Sequence, residues 1–150
     1  MDWDETSDQA QVIRLRPLRV LVVSDDEPFR AVNAMLIARR DCRVFSLTGA
    51  YAAAELIARE RIDVVVVDGP DRARALIDEL AVMAELTLPV GVVCAGGTDE
   101  VGPSGEPVIE KWAPFDDLFA AIVRADRARV RAPVRDTAVF PSGVAARALD

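Results

Sequence analysis

Apolar residues in this chain fall into two rhythms that alternate along its length. LRVLVV (18 to 23), apolar at every position but Arg19, lies between Pro17 and the polar turn SDDEP. A strand with one wet face would alternate apolar and polar, so this run predicts a strand buried on both faces. After it, Pro28 suits a first helical turn behind acidic Asp26 and Glu27. Phe29, Val32, Leu36 and Ile37 then recur at helical spacing, which predicts a helix to about residue 40. CRVFSL (42 to 47) reads as a second strand, and Thr48 can cap a helix carrying Tyr51, Ala54, Leu56 and Ile57 that ends near Arg61. IDVVVVD (62 to 68) is the third strand. Residues 71 to 86, with Leu76, Ile77, Leu80 and Met83 on one stripe, predict a third helix, and LPVGVVCAGG (88 to 97) a fourth strand closed by glycines. TDEVGPSGEP (98 to 107) holds two glycines and two prolines, which leaves room for at most one helical turn before the short strand VIE. Pro114 opens a last helix with Phe115, Leu118, Phe119, Ile122 and Val123 on its buried stripe, predicted to end near Arg129.

Strands and helices alternating in short units specify an α/β domain, a parallel sheet with helices on both faces. The strand order that this length accommodates most naturally is 2-1-3-4-5, a flavodoxin-like doubly wound five-stranded sheet with its fourth helix shortened or lost. The ligand crevice of such a sheet lies at the carboxyl ends of strands one and three. Asp25 follows the first of these strands and Asp68 ends the other, so two acids far apart in sequence are expected in one pocket. Cys94 from strand four and Lys111 from strand five fall on the same edge. Residues 1–16 read as a flexible segment, 17–129 as the domain, and 130–150 as a tail or linker. The tail's Val139, Phe140 and Val144 are apolar enough to pack on a partner subunit, which allows for a homodimer.

Composition narrows the chemistry. A chain of 150 residues, 51% of them hydrophobic, is expected to fold as one domain. A net charge of −7 and a pI near 4.7 give no bulk attraction to nucleic acid or to an anionic membrane, and mildly favour Mg2+. No apolar stretch is long enough to span a bilayer, and the acidic start MDWDETSDQ is the opposite of a basic leader, so a cytoplasmic protein is expected. With only Cys42 and Cys94 and no histidine, neither a zinc site nor a disulfide framework is suggested, and catalysis by a histidine of this chain is excluded. Lys111 is the one lysine among 18 basic residues. In a chain that otherwise uses arginine, its position at the end of the fifth strand, on the edge that carries both acids, is the notable one.

Two carboxylates at a strand mouth suit Mg2+, which takes one or two carboxylates with waters and a phosphate oxygen. A cation beside Asp68 would screen its charge and let the carboxylate attack phosphorus, while the Lys111 ammonium takes up charge on the phosphoryl oxygens. Taken singly, an Asp at a strand end is more often a turn former and a lone lysine a surface charge. The three together on one edge favour a site.

LRVLVVSDDEPFR, IDVVVVD, LPVGVVCA and VIEKWAPFDDLFAAI together resemble the receiver domain of two-component response regulators over about residues 18 to 128. The resemblance implies Asp25 as the metal-binding acid, Asp68 as the phosphoacceptor, Lys111 as the lysine that contacts the phosphoryl group, and Mg2+ as cofactor, to which the Pro70 carbonyl would also contribute. It implies a histidine kinase or phosphotransfer protein as donor and a downstream protein partner whose identity is open, while the acidic charge leaves neither nucleic acid nor membrane expected as ligand. The sequence departs from the family at Ser24, where the acidic pair would begin, at Cys94, where a hydroxyl switch residue would stand, and at Val108, where strand five would carry an aromatic. A second reading is therefore a degenerate receiver that acts as a phosphate-independent protein-interaction module. Turnover beyond self-phosphorylation and self-dephosphorylation at Asp68 is not expected. A haloacid-dehalogenase type of phosphatase would put its nucleophile after strand one with a second acid two residues on, a pattern that Asp25 and Glu27 copy only faintly. A dinucleotide site would need a glycine-rich turn where SDDEP stands.

Overall fold

The computed structural model describes residues 16–83, 89–97, 102 and 108–139. Its elements follow in the order β1 (Arg19–Val23), α1 (Glu27–Ala38), β2 (Arg43–Leu47), α2 (Ala50–Glu60), β3 (Val64–Asp68), α3 (Pro70–Val82), β4 (Gly91–Gly96), β5 (Ile109–Glu110) and α4 (Phe115–Val139). The five strands form one all-parallel sheet in the order β2-β1-β3-β4-β5. Strand polarity, order and the place of β1 and β3 at the centre are thus those expected. Among the described residues there are four helices. The stretch between β4 and β5, where a further helix was expected to be shortened or lost, lies outside the described residues apart from Gly97, Gly102 and Val108.

The greasy run of β3 is explained by what lies on each side of it. Val64 and Val66 face the layer built by Phe29 and Ile37 of α1 and Leu118, Ala121 and Ile122 of α4, together with Val20, Val22, Val93 and Ala95. Val65 and Val67 face the opposite layer, built by Ala53, Ala54, Leu56 and Ile57 of α2 and Ala73 and Leu76 of α3, together with Leu21, Val23 and Cys94. All four valines are fully buried, and each side chain removed from water contributes about 1.5–3 kcal/mol. Since successive strand residues point to opposite faces, a strand covered twice needs an apolar residue at every position.

Two features of the frame bear on the site. Helix α4 crosses β4 at Gly91, where a Cβ would lie 2.6 Å from the carbonyl oxygen of Ala125, so the absent side chain is what lets helix and strand approach. At the opposite end of the sheet from the strand mouths, Asp63 is buried among cations. It accepts from the Arg19 backbone N–H at 2.9 Å, from Arg16 at 3.1 Å and from Arg129 at 2.6 Å, and Arg129 also pairs with Asp126 at 3.0 Å. Arg129 therefore does not form a solvated helix end. Nor does the helix stop there, since α4 continues to Val139. The expected boundary rested on a proline-glycine break and the lack of a sustained apolar period beyond it. Residues 125–132 are rich in Ala and Arg, both strong helix formers.

Candidate functional site

The site is assembled at the carboxyl ends of β1, β3 and β5. Asp68 closes β3, and with Val64 and Val66 buried on the α1 and α4 side, the period of two directs its carboxylate to that side of the sheet. Ser24, directly after β1, lies on the same side and is fully buried, donating its hydroxyl to Asp68 Oδ2 at 2.6 Å. Lys111 follows β5, whose short pairing to β4 is extended by the Lys111 N–H donating to the Gly96 carbonyl at 2.9 Å. Its Nζ lies 2.9 Å from Asp68 Oδ2 and 2.9 Å from Asp26 Oδ2. Beneath the ammonium is the Phe29 ring, 5.4 Å from Nζ to centroid, which Trp112 meets edge-on at 5.5 Å.

Asp26 reaches this cluster because of the helix that follows it. It is the N-cap of α1, its Oδ1 accepting from the Phe29 N–H at 3.2 Å while its own N–H donates to Ser24 Oγ at 2.9 Å. A capping side chain must turn back over the first helical turn, and that turn faces Lys111. The Lys111 ammonium, aided by the Phe29 N–H, holds the Asp26 carboxyl below its ordinary pKa of 3.8. Reciprocally, hydrogen bonds to Asp26 and then Asp68 push the Lys111 ammonium above its ordinary 10.5.

Asp25 points elsewhere. Its side chain is 73% exposed and pairs with Arg72 Nη2, while Nη1 of the same guanidinium donates to the Asp68 carbonyl oxygen at 2.9 Å. The structure thus brings Asp68 and Lys111 together as expected and adds Ser24 and Asp26, but does not bring Asp25 to them. Pro70 opens α3 immediately behind Gly69, whose φ of +104° turns the chain out of the strand. Cys94 is buried in the α2 and α3 layer, one position before Ala95, the residue in register with Asp68. Val108 packs against that same layer.

The donor set suits a small cation. Two carboxylate oxygens, from Asp26 and Asp68, converge on a single point that Lys111 Nζ occupies, so a positive charge already stands where they meet. One or two carboxylates with water complete the shell that Mg2+ takes. Among the described residues no group of three or more acidic or cysteine side chains converges as a site for a metal ion.

With sheet order and mouth geometry described, comparison with solved structures is informative. A signal receiver domain from Vibrio parahaemolyticus matches with a TM-score of 0.64 at 19% identity, over 80% of this chain and 97% of that one. A DNA-binding response regulator of the LuxR family from Staphylococcus aureus matches with a TM-score of 0.57 at 15% identity, over 73% of this chain and 98% of that one. This is the receiver fold. No protein-family model and no curated protein sequence matches the chain, so the likeness is one of fold. Among the described residues no helix is long and apolar enough to cross a membrane.

Three members of the site were not singled out from the sequence. Asp26 carried a readable signal, an acid placed just before Glu-Pro at a helix start, which is an N-cap position. Arg72 carried a fainter one, since a cation in the first turn of α3 opposes the helix dipole and implies a partner. The hydroxyl of Ser24 as donor to Asp68 had no signal beyond its position at a strand end.

Proposed function

We propose that this receiver fold works as a receiver of two-component signalling, accepting a phosphoryl group on Asp68 from a histidine kinase or phosphotransfer protein and passing the change to a downstream protein. The observation that carries the reading is the polarity of the Asp68 carboxylate. Ser24 and Lys111 both bond to Oδ2, and neither contact falls on Oδ1. One oxygen is anchored and the other is left as nucleophile. In the reaction Oδ1 attacks phosphorus in line, the P–N bond of a phosphohistidine breaks, and the departing imidazole keeps the bonding pair and takes a proton. The Lys111 ammonium neutralises charge on the phosphoryl oxygens. Asp26 keeps Lys111 in place and protonated throughout, since it raises the lysine's pKa. Asp68 and Asp26 are the carboxylates that would hold Mg2+ at this mouth, and the metal would supply further neutralisation of the phosphoryl charge.

Intact mass after incubation with acetyl phosphate and Mg2+ tests this directly. The expected result is a phosphate-sized gain that disappears in Asp68→Asn and when metal is omitted. A second reading, a phosphate-independent interaction module, is favoured by the placement of Cys94 and Val108 in the far layer, which leaves the strand mouth without the family's usual switch pair. No mass gain, together with no binding of beryllofluoride, would select that reading.

A further inference from the structure

The three acids near the mouth are divided between two cations. Lys111 holds Asp26 and Asp68, each at 2.9 Å, and Arg72 holds Asp25. The division is enforced from both sides. Arg72 lies four residues after the acceptor, in the first turn of α3, and its Nη1 is fixed on the Asp68 carbonyl oxygen at 2.9 Å. Its guanidinium therefore stays over the strand end and cannot follow Asp25 inward. Asp25 has rotated out to 73% exposure to meet it, whereas Asp26, one residue on, is turned in by its capping bond. A cation in the first turn of a helix works against the dipole, so Arg72 keeps this place through these two specific partners.

The geometry points to Arg72 as a positioning residue that sets the pocket's cation affinity by holding Asp25 away from it. The inference rests on the receiver reading above and adds a control to it. In the resting domain Mg2+ meets two carboxylates, and recruiting the third requires the Asp25–Arg72 pair to break. The free energy of that pair is subtracted from metal binding. Releasing Asp25 also frees the guanidinium, which ties the β1–α1 loop to the start of α3.

Mg2+ titration of the full chain by calorimetry tests this, with melting curves confirming that each variant is folded. Arg72→Gln should tighten Mg2+ binding by about fivefold, the factor equivalent to losing one well-formed exposed ion pair. Removing a nearby positive charge also favours any cation, and that effect does not need Asp25. In an Asp25→Asn chain, Arg72→Gln should therefore tighten binding by no more than about twofold, so that the two substitutions are coupled. Arg72→Lys, which keeps a cation able to pair with Asp25, should stay within about twofold of the parent. Equal tightening with and without Asp25, or a lysine variant that behaves like glutamine, would overturn the inference. Mg2+ binding that is intact and unchanged in Arg72→Gln would overturn it while leaving the receiver reading in place. Absence of Mg2+ binding in every variant would overturn the metal-dependent reading along with it.

Discussion

Replacing Asp63 by Asn should be the most costly single change of charge in this domain, although Asp63 is at the far end of the sheet from the site. The carboxylate is 3% exposed and accepts the Arg19 N–H, both Nη atoms of Arg16 and Nη2 of Arg129. Asparagine is close in shape but neutral, and its amide offers one acceptor oxygen where four donors converge. Removing one partner of a buried ion pair costs about 3–5 kcal/mol, most of it from the charge left behind. Here the stranded cations can partly rehydrate, since the Arg129 side chain is 18% exposed and that of Arg16 is 40% exposed. The expected loss is therefore nearer 2–4 kcal/mol, a large part of the 5–15 kcal/mol that holds a domain together. Near 150 residues it corresponds to a fall of about 4–16 °C in Tm. Arg16→Ala removes only the more exposed partner and should cost about 0.2–1 kcal/mol. Urea denaturation, with the m-value checked for constancy, would measure both. Because Asp63 is buried, its effect should survive in 1 M salt, whereas the Arg16 effect should shrink. An Asp63→Asn loss no greater than that of Arg16→Ala would refute the view that this network anchors α4 and the start of β1 to the sheet.

Other expectations follow from the same geometry. Gly91→Ala should cost about 1–3 kcal/mol, because the new methyl meets the Ala125 backbone and main chain must move; a neutral result in a thermal melt would mean that α4 yields freely. The depressed pKa of Asp26 makes its stabilisation fully present above the ordinary carboxylate value of 3.8 and lost as pH falls through the lower folded value. Asp26→Asn should accordingly flatten the acid limb of the stability–pH curve, and an unchanged limb would count against the Asp26–Lys111 contact. For Lys111 the sign reverses. Its raised pKa gives stability that is present below 10.5 and lost as pH rises through the folded value, so the parent should lose stability at alkaline pH and Lys111→Met should lessen that decline. Trp112, edge-on to Phe29 beneath the Lys111 ammonium, should change fluorescence when beryllofluoride is added to the parent and not to Asp68→Asn.

How far the site was legible varies with the residue. Asp68 and Lys111 were found because each ends a strand on the edge where a doubly wound sheet opens, and strand ends can be read from apolar runs. Asp25 and Asp26 are adjacent in one turn, where an apolar period says nothing about which side chain turns inward. The choice was made by the N-cap bond to Phe29 and by Arg72, a partner 47 positions away from Asp25. Cys94 was placed on the correct edge but not on a face. The structure puts it in the α2 and α3 layer, and register shows the reason, since Ala95 and not Cys94 is level with Asp68.

By itself, then, the sequence determined the alternation of strands and helices, a core in which the buried positions of the central strands are apolar, and the edge where chemistry can occur. These are properties of local pattern, in which side-chain period and turn residues suffice. Only the tertiary structure decided which of two neighbouring acids joins Asp68, that Arg72 divides them, that Asp63 is buried in a charge network, and that α4 runs on beyond Arg129 to Val139. Each of the first three depends on partners distant in the chain. Side-chain direction in a turn is settled by whichever hydrogen bond or ion pair the folded chain brings within reach.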